Sequence, residues 1–106
     1  MDKIRRGNIL FLVMYDIGSD TVRRDVVKYL ERLGCLRIQK SIFLAHLPVS
    51  IYQSIRTDLE EMVSFYENHD SIIVCPLSPE LLRNMKVIGE NYNIDVLMRN
   101  KKVLFL

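Results

Sequence analysis

Residues 8–15 open on Asn8 and continue as an unbroken apolar run that includes Ile, Leu, Phe and Val. The run is too short for a stable helix and reads as a buried central strand, with Asp16 at its C-terminal end. Gly18, Ser19 and Asp20 then supply a turn and a helix N-cap. Val22, Val26, Tyr29, Leu30 and Leu33 follow at helical spacing until Gly34 stops the segment. Residues 36–47, LRIQKSIFLAHL, are β-rich and read as a second strand closed by Pro48. Ser50 and Gln53 resemble a capping box, and Ile51, Ile55, Leu59, Met62, Val63 and Tyr66 mark a second amphipathic helix.

Residues 71–77, SIIVCPL, predict a further short strand, which Pro76 either ends or places at a sheet edge. Ser78 followed by Pro79 starts a short helix with Leu81, Leu82, Met85 and Ile88 on one side. Residues 94–98 and 102–106 are two more strand candidates, one of which can pair outside its own sheet. This order suits an α+β fold, a ferredoxin-like βαββαβ sandwich spanning 1–106 as a single domain. Both main helices would cover one sheet face and leave the other to a partner. Such a layout serves many functions, so individual residues must decide.

The bulk numbers agree with one folded unit: 106 residues, 49% hydrophobic and 26% charged. The longest apolar run, residues 9–15, falls far short of the roughly 20 residues of a membrane span. It is followed by no small-residue cleavage site, so a cytoplasmic protein without a membrane partner is expected. Cys35 and Cys75 have no CxxC spacing and no neighbouring His, and read as small core residues. The net charge of +2 is unevenly spread. Residues 20–40 carry six basic side chains against three acids, while residues 56–70 carry five acids against Arg56. One basic face results, suited to a phosphate backbone or simply to solvent.

Alternation along residues 36–47 sorts Leu36, Ile38, Ile42 and Leu44 onto one face and Arg37, Gln39, Ser41 and Phe43 onto the other. The apolar set would pack under the helices. The second set would lie on the open face, as a dimer interface, a polynucleotide site or an ordinary solvated strand. Asp16 offers one oxygen ligand for Mg²⁺ or Mn²⁺, doubled if a two-fold axis passes nearby, or else serves as a turn residue. His46 and His69 flank elements and read as surface or capping residues.

These residues carry a specific resemblance. Tyr15, Asp16, Ile17, then Arg23, Arg24, Val26, Leu30, Gly34, and the run from Arg37 through Ile38, Gln39, Lys40, Ser41 and Ile42 to Phe43 are similar to the signature of the CRISPR-associated protein 2 family. The signature is an apolar strand ending in Tyr-Asp, a basic helix, a Gly and an R-[IV]-Q-x-S-[VI]-F strand. The resemblance implies a ferredoxin-like homodimer in which residues 94–106 form a C-terminal strand or tail at the interface. It implies partnership with the CRISPR-associated integrase protein 1 during spacer acquisition, and a metal-dependent endonuclease cutting RNA or double-stranded DNA. Asp16 matches the metal ligand. Asp16, Arg23, Arg37, Ser41 and Phe43 match the catalytic set, and Arg23, Arg24, Lys28 and Arg37 would meet nucleic acid. One further position, basic in some members, is Asp25 here. The competing readings are a non-catalytic DNA-binding scaffold and a toxin-like ribonuclease of the virulence-associated protein D group.

Overall fold

The computed structural model describes residues 7–64 and 69–89. Strand β1 (Asn8–Asp16) leads into helix α1 (Asp20–Arg32), then strands β2 (Leu36–Gln39) and β3 (Ile42–Pro48), helix α2 (Val49–Ser64), strand β4 (Ser71–Pro76) and the short helix α3 (Pro79–Asn84). The sheet order is β2-β3-β1-β4, and every pairing is antiparallel. With two helices packed against this sheet, the architecture is the expected α+β, ferredoxin-like sandwich. The tail candidates at 94–98 and 102–106, and Tyr66, lie outside the described residues. Among the described residues, no helix is long and apolar enough to cross a membrane.

The local signals explain the element ends. Ser19 caps α1, its Oγ accepting the Val22 N–H at 3.2 Å. Gly34 ends it in the left-handed region, at φ +92°. There the Gly34 N–H bonds to the Glu31 carbonyl and the Cys35 N–H to the Leu30 carbonyl, which satisfies two last-turn acceptors. Val22, Val26 and Leu30 from α1 and Tyr52, Ile55 and Leu59 from α2 bury their apolar stripes on the sheet. The Tyr29 hydroxyl donates to Asp58 Oδ2 at 2.5 Å and ties the two helices together. Burial pushes the Cys35 thiol up to about 11, so it stays protonated and inert.

Three expectations change. The stretch 36–47 is not one strand but a hairpin, β2 and β3, turning at Lys40 and Ser41, with a bulge between Arg37 and Gln39. No Gly, Pro or Asn marks this turn, so the β-rich run conceals it. Helix α2 starts at Val49, directly after Pro48, which places Ser50 inside the helix rather than at a capping box. The Val49 N–H is satisfied instead by the Gly7 carbonyl at 2.6 Å. Third, the two faces of the hairpin are reversed. Phe43 points under the helices and is fully buried with Val26, Leu30, Ile55 and Leu59. Leu36, Ile38, Ile42 and Leu44 occupy the other face with Leu10, Leu12 and Leu82.

That second face is therefore apolar rather than polar. Helix α3, capped by Ser78, seats Leu82 on Leu10, Ile38 and Leu44. The cover is partial, and Ile73 remains 57% exposed on the same face.

Candidate nucleic-acid and metal site

Asp16 is the last residue of β1, exposed, and in register with Ser71 of β4. Alternation aligns it with Leu10, Leu12 and Met14, on the face away from α1 and α2. The turn behind it is braced from α1. Arg23 Nη1 donates to the Ile17 carbonyl at 2.9 Å, and Nη2 pairs with Asp20 Oδ1. The Arg23 guanidinium thus supports the backbone after Asp16 and is already engaged there.

On the helix side, Asp20, Arg23, Arg24, Val27 and Arg37 line one shallow groove. Three guanidinium groups face a single carboxylate, which Arg23 already pairs, so the groove carries net positive charge. Arg37 is held in place by several contacts. Its Nε and Nη2 donate to the Lys40 carbonyl at 3.1 and 2.6 Å, and the guanidinium lies 5.8 Å from the Phe43 ring centroid. The Tyr15 hydroxyl donates to the same carbonyl at 3.0 Å. Burial raises the Tyr15 pKa, partly offset by the charge of Arg37, so the phenol remains a donor.

The expected residues separate accordingly. Arg23, Arg24 and Arg37 come together, while Lys28 lines a different groove with Asp25, Arg32, Asp58 and Glu61. Ser41 sits in the hairpin turn, its carbonyl accepting the Tyr15 N–H at 3.1 Å. Phe43 is fully buried and supports Arg37 from beneath, so its ring has no surface to offer a polynucleotide. Asp16 lies at the same end of the sheet as these groups but on the opposite face. His46 pairs with Leu10 near the far end of β1, and burial lowers its pKa. Tyr15 and Asp70 join the site only through the structure. Tyr15 had a signal in the Tyr-Asp pair, whereas Asp70, 52 residues from its partner Gly18, had none.

Among the described residues no group of three or more His, Cys, Asp or Glu side chains converges on one point. Mg²⁺ keeps several waters and is commonly held by one or two carboxylates, which suits Asp16.

The family model described as CRISPR associated protein Cas2 matches residues 9–85. The chain belongs to the Cas2 family. All the candidate residues from Asp16 to Asp70 fall inside the matched range. The CRISPR-associated endoribonuclease Cas2 of Korarchaeum cryptofilum (strain OPF8) is 46% identical over 44 residues, 42% of this chain and 47% of that relative. The match thus spans about half the length of that Cas2. The backbone is similar to the crystal structure of Streptococcus pyogenes Cas2, at TM-score 0.64 and 23% identity over 76% of this chain and 100% of that one. A hypothetical protein from Thermus thermophilus is similar at TM-score 0.64 and 24% identity, over 81% of this chain and 96% of that one. At these identities the two backbones speak for the fold alone.

Proposed function

We propose that this Cas2 protein is a homodimeric, Mg²⁺- or Mn²⁺-dependent endonuclease of CRISPR adaptation, acting on RNA or double-stranded DNA. The observation that carries this reading is the placement of Asp16 at the rim of an apolar sheet face that α3 covers only in part. A second copy seated on that face would bury Leu12, Ile42 and Ile73, and the two-fold axis would meet Asp16 twice. The endoribonuclease name carried by the Korarchaeum relative supports the reaction class. Two Asp16 carboxylates would hold the ion, which when bound acidifies a water and neutralises phosphate charge. Asp16 would supply the negative charge and oxygen donors at the ion, while Arg24 and Arg37, in the groove on the other sheet face, would hold phosphates of the same polynucleotide away from the cut. The test is sedimentation of the purified protein together with cleavage assays on RNA and duplex DNA, with Mg²⁺ or with chelator. A dimer at micromolar concentration and chelator-sensitive cleavage are expected. A monomer, or cleavage indifferent to chelator, would count against it.

A second reading, a DNA-holding scaffold for the CRISPR-associated integrase protein 1, is favoured by one specific feature. Within a protomer the basic groove and Asp16 face opposite sides of the sheet, so phosphate can be held without approaching the carboxylate. Replacing Arg24 and Arg37 together by Ala should weaken duplex binding equally for all sequences. The slope of log affinity against log salt should fall by roughly 0.9 per lost phosphate contact. Lys28→Ala, in the other groove, should leave the slope nearly unchanged. Filter-binding titrations over a salt series decide this, and a sequence-selective loss would contradict backbone contact.

A further inference from the structure

The turn after Asp16 is only three residues long, 17–19, and is anchored from two sides. From α1, Arg23 holds the Ile17 carbonyl through Nη1 and the Ser19 carbonyl through its own N–H, each at 2.9 Å. From the opposite side, Asp70 Oδ1 accepts the Gly18 N–H at 2.9 Å. The α1 contacts are local, whereas Asp70 is 52 residues away along the chain. It immediately precedes Ser71, the register partner of Asp16. The start of β4 therefore grips this corner twice, once through the strand ladder and once through a side chain. The Gly18 bond is exposed, so water can replace it and its loss should cost little stability. Its geometric effect is larger, because it fixes the backbone two residues beyond Asp16.

We propose that Asp70 is a positioning residue for Asp16: by holding the Gly18 N–H it sets the direction in which the Asp16 carboxylate leaves the sheet rim. The proposal rests on the reading of Asp16 as the metal carboxylate. The bond to Gly18 requires an acceptor and not a charge, so the side-chain oxygen of Asn replaces it and Ala does not. Groups that orient a metal ligand without touching the ion typically contribute about tenfold to a hundredfold in metal affinity.

The test uses the full chain with Asp70→Ala, Asp70→Asn and Asp16→Asn. Amide hydrogen exchange is read at Gly18, and Mn²⁺ titration is read by paramagnetic broadening of the resonances around Asp16. Asp70→Ala should speed Gly18 exchange and weaken Mn²⁺ binding about tenfold, while Asp70→Asn restores most of both. Unchanged Gly18 exchange in Asp70→Ala would remove the contact, and released Gly18 with wild-type Mn²⁺ affinity would remove its positioning role. Equal loss in Asp70→Ala and Asp70→Asn would overturn positioning in favour of the Asp70 charge. If Asp16→Asn binds Mn²⁺ like the wild type, the Asp16 reading itself has failed, and the proposal falls with it whatever Gly18 does.

Discussion

Asp16→Asn should lower Mg²⁺-dependent cleavage by about a hundredfold or more while leaving fold, dimer and duplex binding in place. The substitution keeps the side-chain shape and removes the negative charge. Nothing in the braced turn depends on that charge. Arg23 holds the Ile17 carbonyl, Asp70 holds the Gly18 N–H, and Ser19, not Asp16, caps α1. The alternative of a purely structural turn residue therefore predicts almost no effect, since Asn serves a turn as well as Asp. The groove of Arg24 and Arg37 lies on the other sheet face, so duplex affinity should be retained. Cleavage rates over a Mg²⁺ series, beside binding titrations of the same preparation, make the comparison. A mutant cutting at the wild-type rate with the same Mg²⁺ dependence would take Asp16 out of the mechanism.

The largest stability effect is expected at Phe43. Phe43→Ala should cost about 3–5 kcal/mol, the usual range for emptying a fully buried aromatic position. Against a total stability of about 5–15 kcal/mol, that removes from about a fifth to all of what holds the chain folded. The ring is 0% exposed and packs beside Tyr15, with ring centroids 6.3 Å apart, beneath the Arg37 guanidinium. Loss of activity in Phe43→Ala should follow loss of structure. Phe43→Leu, which leaves a smaller void, should retain more of both. Urea unfolding at a fixed protomer concentration, compared with cleavage, separates the possibilities, because the midpoint of any self-associating chain depends on concentration. An unshifted midpoint with lost cleavage would show that Phe43 acts on the substrate after all.

Much of the architecture was legible because local chemistry specified it. The apolar run ending at Asp16, the Val22, Val26 and Leu30 stripe, and the stop at Gly34 are each local signals with one strong outcome. The Ser78-Pro79 helix start likewise needs no tertiary help. The hairpin turn at Lys40 and Ser41 was not legible, since neither residue carries a turn preference strong enough to interrupt a β-rich run. The start of α2 departs from its local signal for a related reason. Ser50 and Gln53 have the right spacing for a cap, but the Gly7 carbonyl reaches Val49 first.

The candidate site divides in the same way. Asp16 at a strand end and a basic first helix are properties of the amino-acid order itself. Which basic groups share a groove, and on which side of the sheet, is a tertiary outcome. Period-two alternation sorts side chains into two sets without saying which set faces inward. Both sets of the β2–β3 hairpin contain residues that a core will accept. Packing of α1 and α2 selected the set with Phe43, carried Arg37 to the helix side with it, and left Asp16 on the other face. Contacts such as Asp70 with Gly18, 52 residues apart, exist only once β4 has paired with β1, because nothing local brings a carboxylate to that N–H.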